Sequence, residues 1–486
     1  MTAPVPDQIT LGQNLRISRV LTGLWQVADI EKNGNTIDPE QGADHLQAYM
    51  QQGFTTFDMA DHYGSAEIIA GHLLKRYDPG AKRPVICTKW CPEPGEMSAR
   101  VVRAGVQERL DRLGVDKIDL LQFHWWTFEN PAWLDALHEL AALRQEGLIG
   151  DIGVTNFDAA HLQLALSDEI PLLTNQVSFS LLDRRAAGPL AVVCQASDTR
   201  LFGYGTLAGG FLSDRWQGQP EPVDIPDWSK MKYKRFIDTA GGWEGFQALL
   251  AAAAQIAIKH KVSLSNVATR WVLEQAGVAG VIIGARLGER NHMADNARLF
   301  EFSLDTEDHQ RLSAHFTGDI PGDCGDEYRK PPFLTASGDL SHHLTGNHAG
   351  FEATPIDNRP GALRVLSGSK WEDIAGYCRA HRTGNRILVS GTTATAGFDR
   401  AVAPQDAGAQ TTFILDKIAA SLTALGANMD NVVRTRIYIT DANDVEAVSA
   451  AHGRVFGTIK PANTLVVVAQ LIGNHRVEIE AETEIG

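Results

Sequence analysis

The chain has 486 residues, 44% of them hydrophobic and 21% charged, and a formal net charge of −15. That length exceeds one ordinary domain and predicts two. The acidic balance argues against binding nucleic acid or an anionic membrane surface through bulk charge, though it leaves room for a phosphate held in a local pocket. No apolar run is long enough to span a membrane, and the opening "MTAPVPDQIT" lacks the basic start and apolar stretch of a signal peptide, so a soluble, cytoplasmic protein is expected. The five cysteines, Cys87, Cys91, Cys194, Cys324 and Cys378, are too few in so long a chain for a disulfide framework. The C-x3-C spacing of Cys87 and Cys91 has no second Cys/His pair of metal-ligand spacing nearby, and reduced thiols are expected.

From residue 19 to about 301 short β-rich runs alternate with amphipathic stretches. The runs are "RVLTGLWQ", "TTFDMA", "PVICTKW", "IDLLQFHWW", "IGDIGVTNF", "LLTNQVSFS", "RLFGYGTL" and "VAGVIIGAR"; "SARVVRAGVQERLDRLG" and "AWLDALHELAALRQEG" are two of the stretches between them. Strands with almost no polar interruption, separated by helices with three- and four-residue apolar spacing, imply a parallel sheet covered by helices. Eight such units suit a (β/α)8 barrel better than an open sheet. After the seventh strand, residues 208–242 read as a long loop without clear structure of its own, the kind that is functional or disordered. "GYGTLA" at 203–208 has the G-x-G-x-x-A form of a dinucleotide fingerprint, but Gly209, Gly210 and a Pro-rich loop follow it where a helix is needed. A Gly/Pro/Asp/His-rich tail completes a first domain at 1–345, and 346–360 reads as a linker. From 361 to 486 strands come in pairs separated by helices, which gives an α+β domain with its sheet covered on one face. The other face needs a partner, so an oligomer is expected.

A barrel enzyme places its chemistry at the C-terminal ends of its strands. There the sequence has Asp58, Tyr63 in the following loop, Lys89 and His124. A phenol's ordinary pKa of about 10 is too high for easy proton exchange at neutral pH. A neighbouring ammonium should lower it and make Tyr63 an acid–base group. Asp58 can supply the anion that holds Lys89 in a low-dielectric floor, and a neutral His124 could orient a substrate oxygen. The set suits delivery of a proton to a carbonyl oxygen while its carbon accepts hydride, and neither a Ser–His–acid set nor a metal cluster is expected to compete.

"GFTTFDMADHYGSAE", "VICTKW", "DLLQFH", "IGVTNF" and "NQVSFSLL", in that order, resemble the aldo-keto reductases over residues 10–345. The resemblance implies Tyr63 as general acid/base tuned by Lys89 and Asp58, with His124 placing the substrate. It implies a nicotinamide dinucleotide near Gly23 and Trp25. Thr155 (more often serine in the family), Asn156 and Gln176 would hold its carboxamide, Tyr204 would stack on its ring, and Arg286 and Asn296 would meet its adenosine-phosphate end. An arginine there favours NADP(H) through charge-assisted contacts to a 2′-phosphate; the Arg286–Asn296 spacing is longer than the family's common pattern, and NAD(H) is left open. Trp90, Trp125 and Trp126, with Tyr328 from the tail, are expected around a small carbonyl or alcohol substrate, along with Cys324, His342 and His343 if the tail folds over. Alternation sends some of these tryptophans under the outer helices instead.

"AGYCRA", "ILVSGT", "VVRTRIYITD" and "VEIEAE" resemble the RidA (YjgF) family of small trimeric proteins, whose better-known members hydrolyse reactive enamines and imines. By position Tyr377, Ser390 and Glu480 line the inter-subunit cleft. The family's carboxylate-gripping arginine is replaced by Asn463 in "PAN", and an amide has no charge for a bidentate pair. A trimerising or ligand-binding module is therefore expected ahead of an imine hydrolase that feeds a carbonyl to the barrel. The rival for the whole chain is a cofactor-sensing regulator like the potassium-channel β-subunits that the barrel also resembles; fusion to a RidA-like domain weighs against it.

Overall fold

The computed structural model describes all residues except 1–4, 28–36, 79, 81, 226–227, 316–319, 321, 324–349 and 398. Eight parallel strands close into a barrel: β3 (Val20–Gly23), β4 (Thr56–Asp58), β5 (Val85–Trp90), β6 (Ile118–His124), β7 (Ile149–Thr155), β8 (Leu172–Ser178), β9 (Arg200–Tyr204) and β10 (Val278–Gly284), with β10 pairing β3. The expected (β/α)8 barrel is the fold found. Both surfaces of the strands are covered, as β8 shows with every residue buried, its polar Thr174, Asn175, Gln176 and Ser178 included.

Alternation along each strand decides which side chains face the barrel axis. On β5, Lys89 points into the barrel and Trp90 packs outward. A Cβ added to Gly105, on the helix Ala99–Leu113, would lie 2.5 Å from the Trp90 indole. Trp90 also meets Phe123 (ring centroids 5.8 Å apart), which in turn stacks on Trp125 at 5.6 Å. Register sets the inward residues side by side at one end: Gly23 opposite Asp58, Lys89 opposite Gln122, His124 opposite Thr155, Thr155 opposite Gln176.

The opposite end is closed by a hairpin, β1 (Gln8–Leu11) with β2 (Leu15–Ser18), whose Leu11, Leu15 and Ile17 join Leu21, Leu120, Leu173 and Phe202 in a separate buried cluster. The segment expected to be a structureless loop, 208–242, instead carries short 3-10 turns at Ala208–Gly210 and Asp214–Trp216 and a helix at Trp228–Thr239. That helix lays Tyr233 against Gly205, where a side chain would collide with the phenol oxygen.

The C-terminal domain is a seven-stranded sheet in the order Ala353–Pro355, Leu363–Val365, Ala380–Thr383, Arg386–Thr393, Val477–Glu484, Val432–Ile439, Ala462–Val467. The helices Ala407–Ala424 and Val445–Phe456 accompany it. Its first strand falls inside the stretch expected to be linker. Three residues ending in proline can pair only at a sheet edge, and this strand is the edge. The helix Ala407–Ala424 is buried on the sheet and also packs against the barrel helix Ala159–Ser167, so the domains share an interface. Among the described residues no helix is long and apolar enough to cross a membrane.

The Trp90–Gly105 contact leaves no room for a side chain. Gly105→Val should lower stability by about 1–3 kcal/mol, as overpacked cores do, read as a drop in urea midpoint; an unchanged midpoint would contradict this packing.

Candidate active site

Asp58, at the end of β4, accepts from Lys89 Nζ at 2.9 and 2.8 Å through its two oxygens. Gln176 and Gln122 donate amide hydrogens to its Oδ1 at 2.7 and 3.2 Å. Lys89 completes its shell on the carbonyl of Met59 at 3.0 Å. Both members of the ion pair are buried. A buried pair is tolerable only when its remaining lone pairs and protons are satisfied, and these amides and the carbonyl satisfy them. Gln122 was not anticipated, although a glutamine among the apolar Leu120, Leu121 and Phe123, two residues before His124, was the available signal. Gln176, anticipated as a carboxamide holder, turns its amide nitrogen to Asp58.

Tyr63 follows in the β4 loop, half-buried, with Lys89 Nζ 5.1 Å from its ring centroid. Burial, and then the Asp58 carboxylate, push the Tyr63 phenol well above its ordinary value. This corrects the expectation that Lys89 would lower it: the ammonium is held by Asp58, and the pair together offers the phenol little net positive field. His124 is pushed down to about 3 by burial and by His62, so it is neutral at physiological pH, as expected.

Trp25 stands edge-on to Tyr63 (5.0 Å) and Trp126 edge-on to His124 (4.4 Å). These two half-buried rings form the aromatic wall. Trp90 and Trp125 do not reach it: one lies under the helix Ala99–Leu113, and the other gives its indole N–H to the carbonyl of Asn130 at 3.1 Å. Cys324, Tyr328, His342 and His343 lie outside the described residues.

The structure does gather Asp61, His62 and Cys91 within 4.8 Å of one another, beside Tyr63, although no metal-ligand cluster was expected here. The Asp61 carboxylate already accepts from the His62 ring (2.9 Å) and the Cys91 amide (2.8 Å), with Arg109 3.7 Å away. Burial alone would raise this acid; the His62 and Cys91 hydrogen bonds hold it below its usual range.

Next to His124, at the end of β7, the Thr155 hydroxyl and the Asn156 amide nitrogen are buried without a hydrogen-bond partner among the described residues. Leaving such groups unpaired costs about 1–3 kcal/mol each. Tyr204 fixes the Asn156 amide by donating to its Oδ1 at 3.0 Å. A ligand carboxamide offers both the acceptor and the donor these two groups lack, so the residues present fit a nicotinamide. Lys232, from the helix at Trp228–Thr239, sits 5.3 Å from the Tyr204 ring centroid and was not anticipated. Gly23 is buried in β3, where a Cβ would lie 2.8 Å from Ile282. Arg286 is exposed and 3.8 Å from Glu289, and Asn296 is half-buried on the short helix Met293–Ala297. The segment between them borders a cleft of about 290 Å³ lined by His45, Tyr49, Leu287, Gly288, Asn291 and Met293.

In the second domain the four anticipated cleft residues do not converge within one chain. Glu480 pairs across strands with Arg436, and Asn463 with Thr435, so adjacent register positions send them to opposite faces. Glu480 accepts from Arg436 (3.2 Å), and Asn463 donates to the Thr435 hydroxyl (2.9 Å). Ser390 gives its hydroxyl to the Cys378 carbonyl (2.8 Å), with Tyr377 half-buried beside Cys378. Lys417, unforeseen, is buried between helix and sheet, donates to the Thr395 carbonyl at 2.9 Å, and is pushed down to about 7 by burial and Arg379.

Residues 368–485 match the family model described as Endoribonuclease L-PSP and form a RidA/YjgF domain. They are similar to an uncharacterised protein of Streptomyces coelicolor, 36% identical over 121 residues, which is 25% of this chain and 89% of that protein. The barrel is similar to a 6-dehydroglucose reductase of Agrobacterium fabrum, 29% identical over 316 residues, covering 60% of this chain and 92% of the relative. It also shares the fold of the glycerol dehydrogenase of Gluconobacter oxydans, with a TM-score of 0.54, 24% identity, and 65% and 98% of the two chains covered. Residues 19–316 match the aldo/keto reductase family model, and the chain belongs to that family.

Proposed function

We propose that the barrel interconverts an aldehyde or ketone and its alcohol with NADP(H), and that the RidA-type domain assembles the chains as trimers and binds ligand without chemistry of its own. The observation that carries the first half is the adjacency of a complete proton-delivery set to two orphaned polar groups on the neighbouring strand end. When bound in this site, a reduced nicotinamide would supply the hydride that the carbonyl carbon accepts. Tyr63 gives its proton to the carbonyl oxygen, and neutral His124 orients that oxygen. Lys89, held by Asp58, anchors the floor of the pocket beside the Tyr63 ring. Thr155 and Asn156 would hold the carboxamide, Tyr204 would stack on the ring, and Lys232 and Arg286 would supply positive charge for the phosphates, which is what favours NADP(H) in this reading. Trp25 and Trp126 offer flat apolar faces suited to a sugar-like carbonyl, the class suggested by the relative named 6-dehydroglucose reductase. Four unpaired cysteines among the described residues accord with a cytoplasmic setting.

Trimerisation is supported by the sheet face turned away from the helix Ala407–Ala424, which leaves Leu388 and Val466 exposed among charged neighbours. The absence of chemistry is supported by Asn463, whose amide is engaged by Thr435.

Tyr63→Phe should abolish turnover while dinucleotide binding, followed by fluorescence, persists; turnover at the wild-type rate would remove Tyr63 from the mechanism. The pH dependence follows from the raised phenol. Reduction needs the phenol and should stay level from neutrality to about pH 10, while oxidation needs the phenolate and should climb throughout that range. A reduction rate that halves near pH 7 would contradict this assignment, because His124 is already neutral there.

Lys89→Met strands a buried carboxylate and should cost about 3–5 kcal/mol of stability, whereas Asp58→Asn/Lys89→Met should recover part of that loss and stay inactive. Urea unfolding of the two variants measures the difference; equal stabilities would mean the pair is not the site's electrostatic anchor. Leu388→Asp/Val466→Asp in the full chain should run on sizing with light scattering as a smaller species than wild type, and an unchanged subunit count would refute assembly through this face.

A further inference from the structure

The helix Ala159–Ser167 begins where the candidate cofactor loop ends. Asn156 has φ of +59°, a left-handed backbone uncommon outside glycine, so its neighbours must hold it there. On one side its N–H donates to the Gln176 carbonyl at 2.9 Å. On the other, Phe157 is bonded in both directions to the Asn175 side chain (3.4 and 2.8 Å), and its ring packs on Phe128 and Trp133 (centroids 5.1 and 5.5 Å).

Asp158 then caps the helix, accepting the His161 N–H at 2.8 Å. The His161 ring is stacked on Phe128 with centroids 3.5 Å apart and planes 9° apart. Its Nδ1 lies 2.7–2.8 Å from both Asp158 oxygens, and its Nε2 lies 2.9 Å from Asp416 Oδ2, a residue 255 positions away on the second domain's helix Ala407–Ala424. A carboxylate faces each nitrogen, an arrangement that favours the doubly protonated ring: burial alone would favour the neutral form, but Asp158 and Asp416 outweigh it and raise the His161 pKa. At the far end of the helix, Asp168 accepts from Arg400 (2.6 Å) and from the Ala403 amide (2.8 Å), and Ser167 donates to Asp406 at 2.7 Å. The second domain therefore grips this helix at both ends, and only the Asp416 end leads directly into the loop.

We propose that Asp416 is a positioning residue of the barrel's dinucleotide site, contributed by the second domain: through His161 and Asp158 it pins the Thr155–Asn156–Phe157 loop in the conformation that presents the Thr155 hydroxyl and the Asn156 amide. This rests on the reading that those two groups hold the nicotinamide carboxamide. Removing Asp416 takes away the carboxylate that holds one side of the His161 ring. The ring can then turn on Phe128, and both the aromatic packing behind Phe157 and the Asp158 cap loosen. The RidA-type domain is thereby part of the reductase site's framework without touching substrate or cofactor.

The test uses the full chain, titrated with NADPH and with NADH by intrinsic fluorescence, alongside steady-state kinetics. Asp416→Asn should raise the Kd and KM of the dinucleotide at least about fivefold, the lower range of couplings between sites, while kcat at saturating dinucleotide and the carbonyl KM stay within about twofold. Asp416→Glu should restore most of the affinity. Arg400→Gln, which loosens only the far end of the same helix, should bind the dinucleotide as wild type does. If Asp416→Asn does not fold, His161→Gln, which cannot ionise, carries the same expectation. Wild-type affinity in Asp416→Asn, or an equal loss in Arg400→Gln, would overturn the inference. Asn156→Ala separates it from the reading beneath it. An Asn156→Ala chain that binds dinucleotide normally removes the cofactor assignment and this inference together, whereas weakened Asn156→Ala beside unaffected Asp416→Asn removes the inference alone.

Discussion

A buried carboxylate needs counter-charge and hydrogen-bond donors, and Asp58 takes them from three other barrel strands. Lys89 comes from β5, Gln122 from β6 and Gln176 from β8, all onto the two oxygens of one side chain. The strand register must be correct to the residue for this to happen, since a one-residue slip would turn each of these groups outward. The same requirement places His124 and Thr155 beside each other at the rim. The electrostatic anchor and the proposed catalytic geometry are thus one constraint. It also explains why the lysine does not create a phenolate: its charge is engaged by Asp58, and Tyr63 is left a strong holder of its proton, as the proposed protonation of a forming alkoxide requires.

The barrel and the heart of the site were legible because polar residues at the ends of apolar runs have few structural reasons to be there. Asp58, Lys89 and His124 each end such a run, and strand–helix alternation says where those ends converge. What was not legible depended on side-chain parity or on distant partners. Four tryptophans stood near strand ends, but only packing separates Trp25 and Trp126 at the rim from Trp90 and Trp125 behind the sheet. The direction of the Tyr63 shift depended on competition between Asp58 and Lys89, which spacing does not express. The hairpin Gln8–Ser18 and the edge strand Ala353–Pro355 were too short to show a period. The helix at Trp228–Thr239 was obscured by its lysines and arginine, since a surface insertion has no sustained apolar stripe. Nothing local marked His161, whose second partner lies 255 residues away.

The two domains meet along a helix whose N-terminus continues the candidate cofactor loop, and this gives the fusion a physical meaning beyond carrying two functions on one chain. Asn156 has a left-handed backbone here, and under the proposed role of Asp416 charge from the second domain contributes to holding it in place. The open face of the second domain's sheet, with Leu388 and Val466 exposed, lies on the side away from the helix that docks on the barrel.

The central claim is that this chain moves hydride between a nicotinamide and a carbonyl carbon while Tyr63 handles the proton. Its most direct measurement is isotopic: the full chain is given NADPH dideuterated at C4 of the nicotinamide with a panel of aldehydes, ketones and sugars, and the products are read by mass spectrometry. The account predicts an alcohol carrying one deuterium on the former carbonyl carbon, formed in step with loss of the reduced cofactor. Cofactor that is bound but never oxidised by any carbonyl, or an alcohol formed without deuterium, would contradict it.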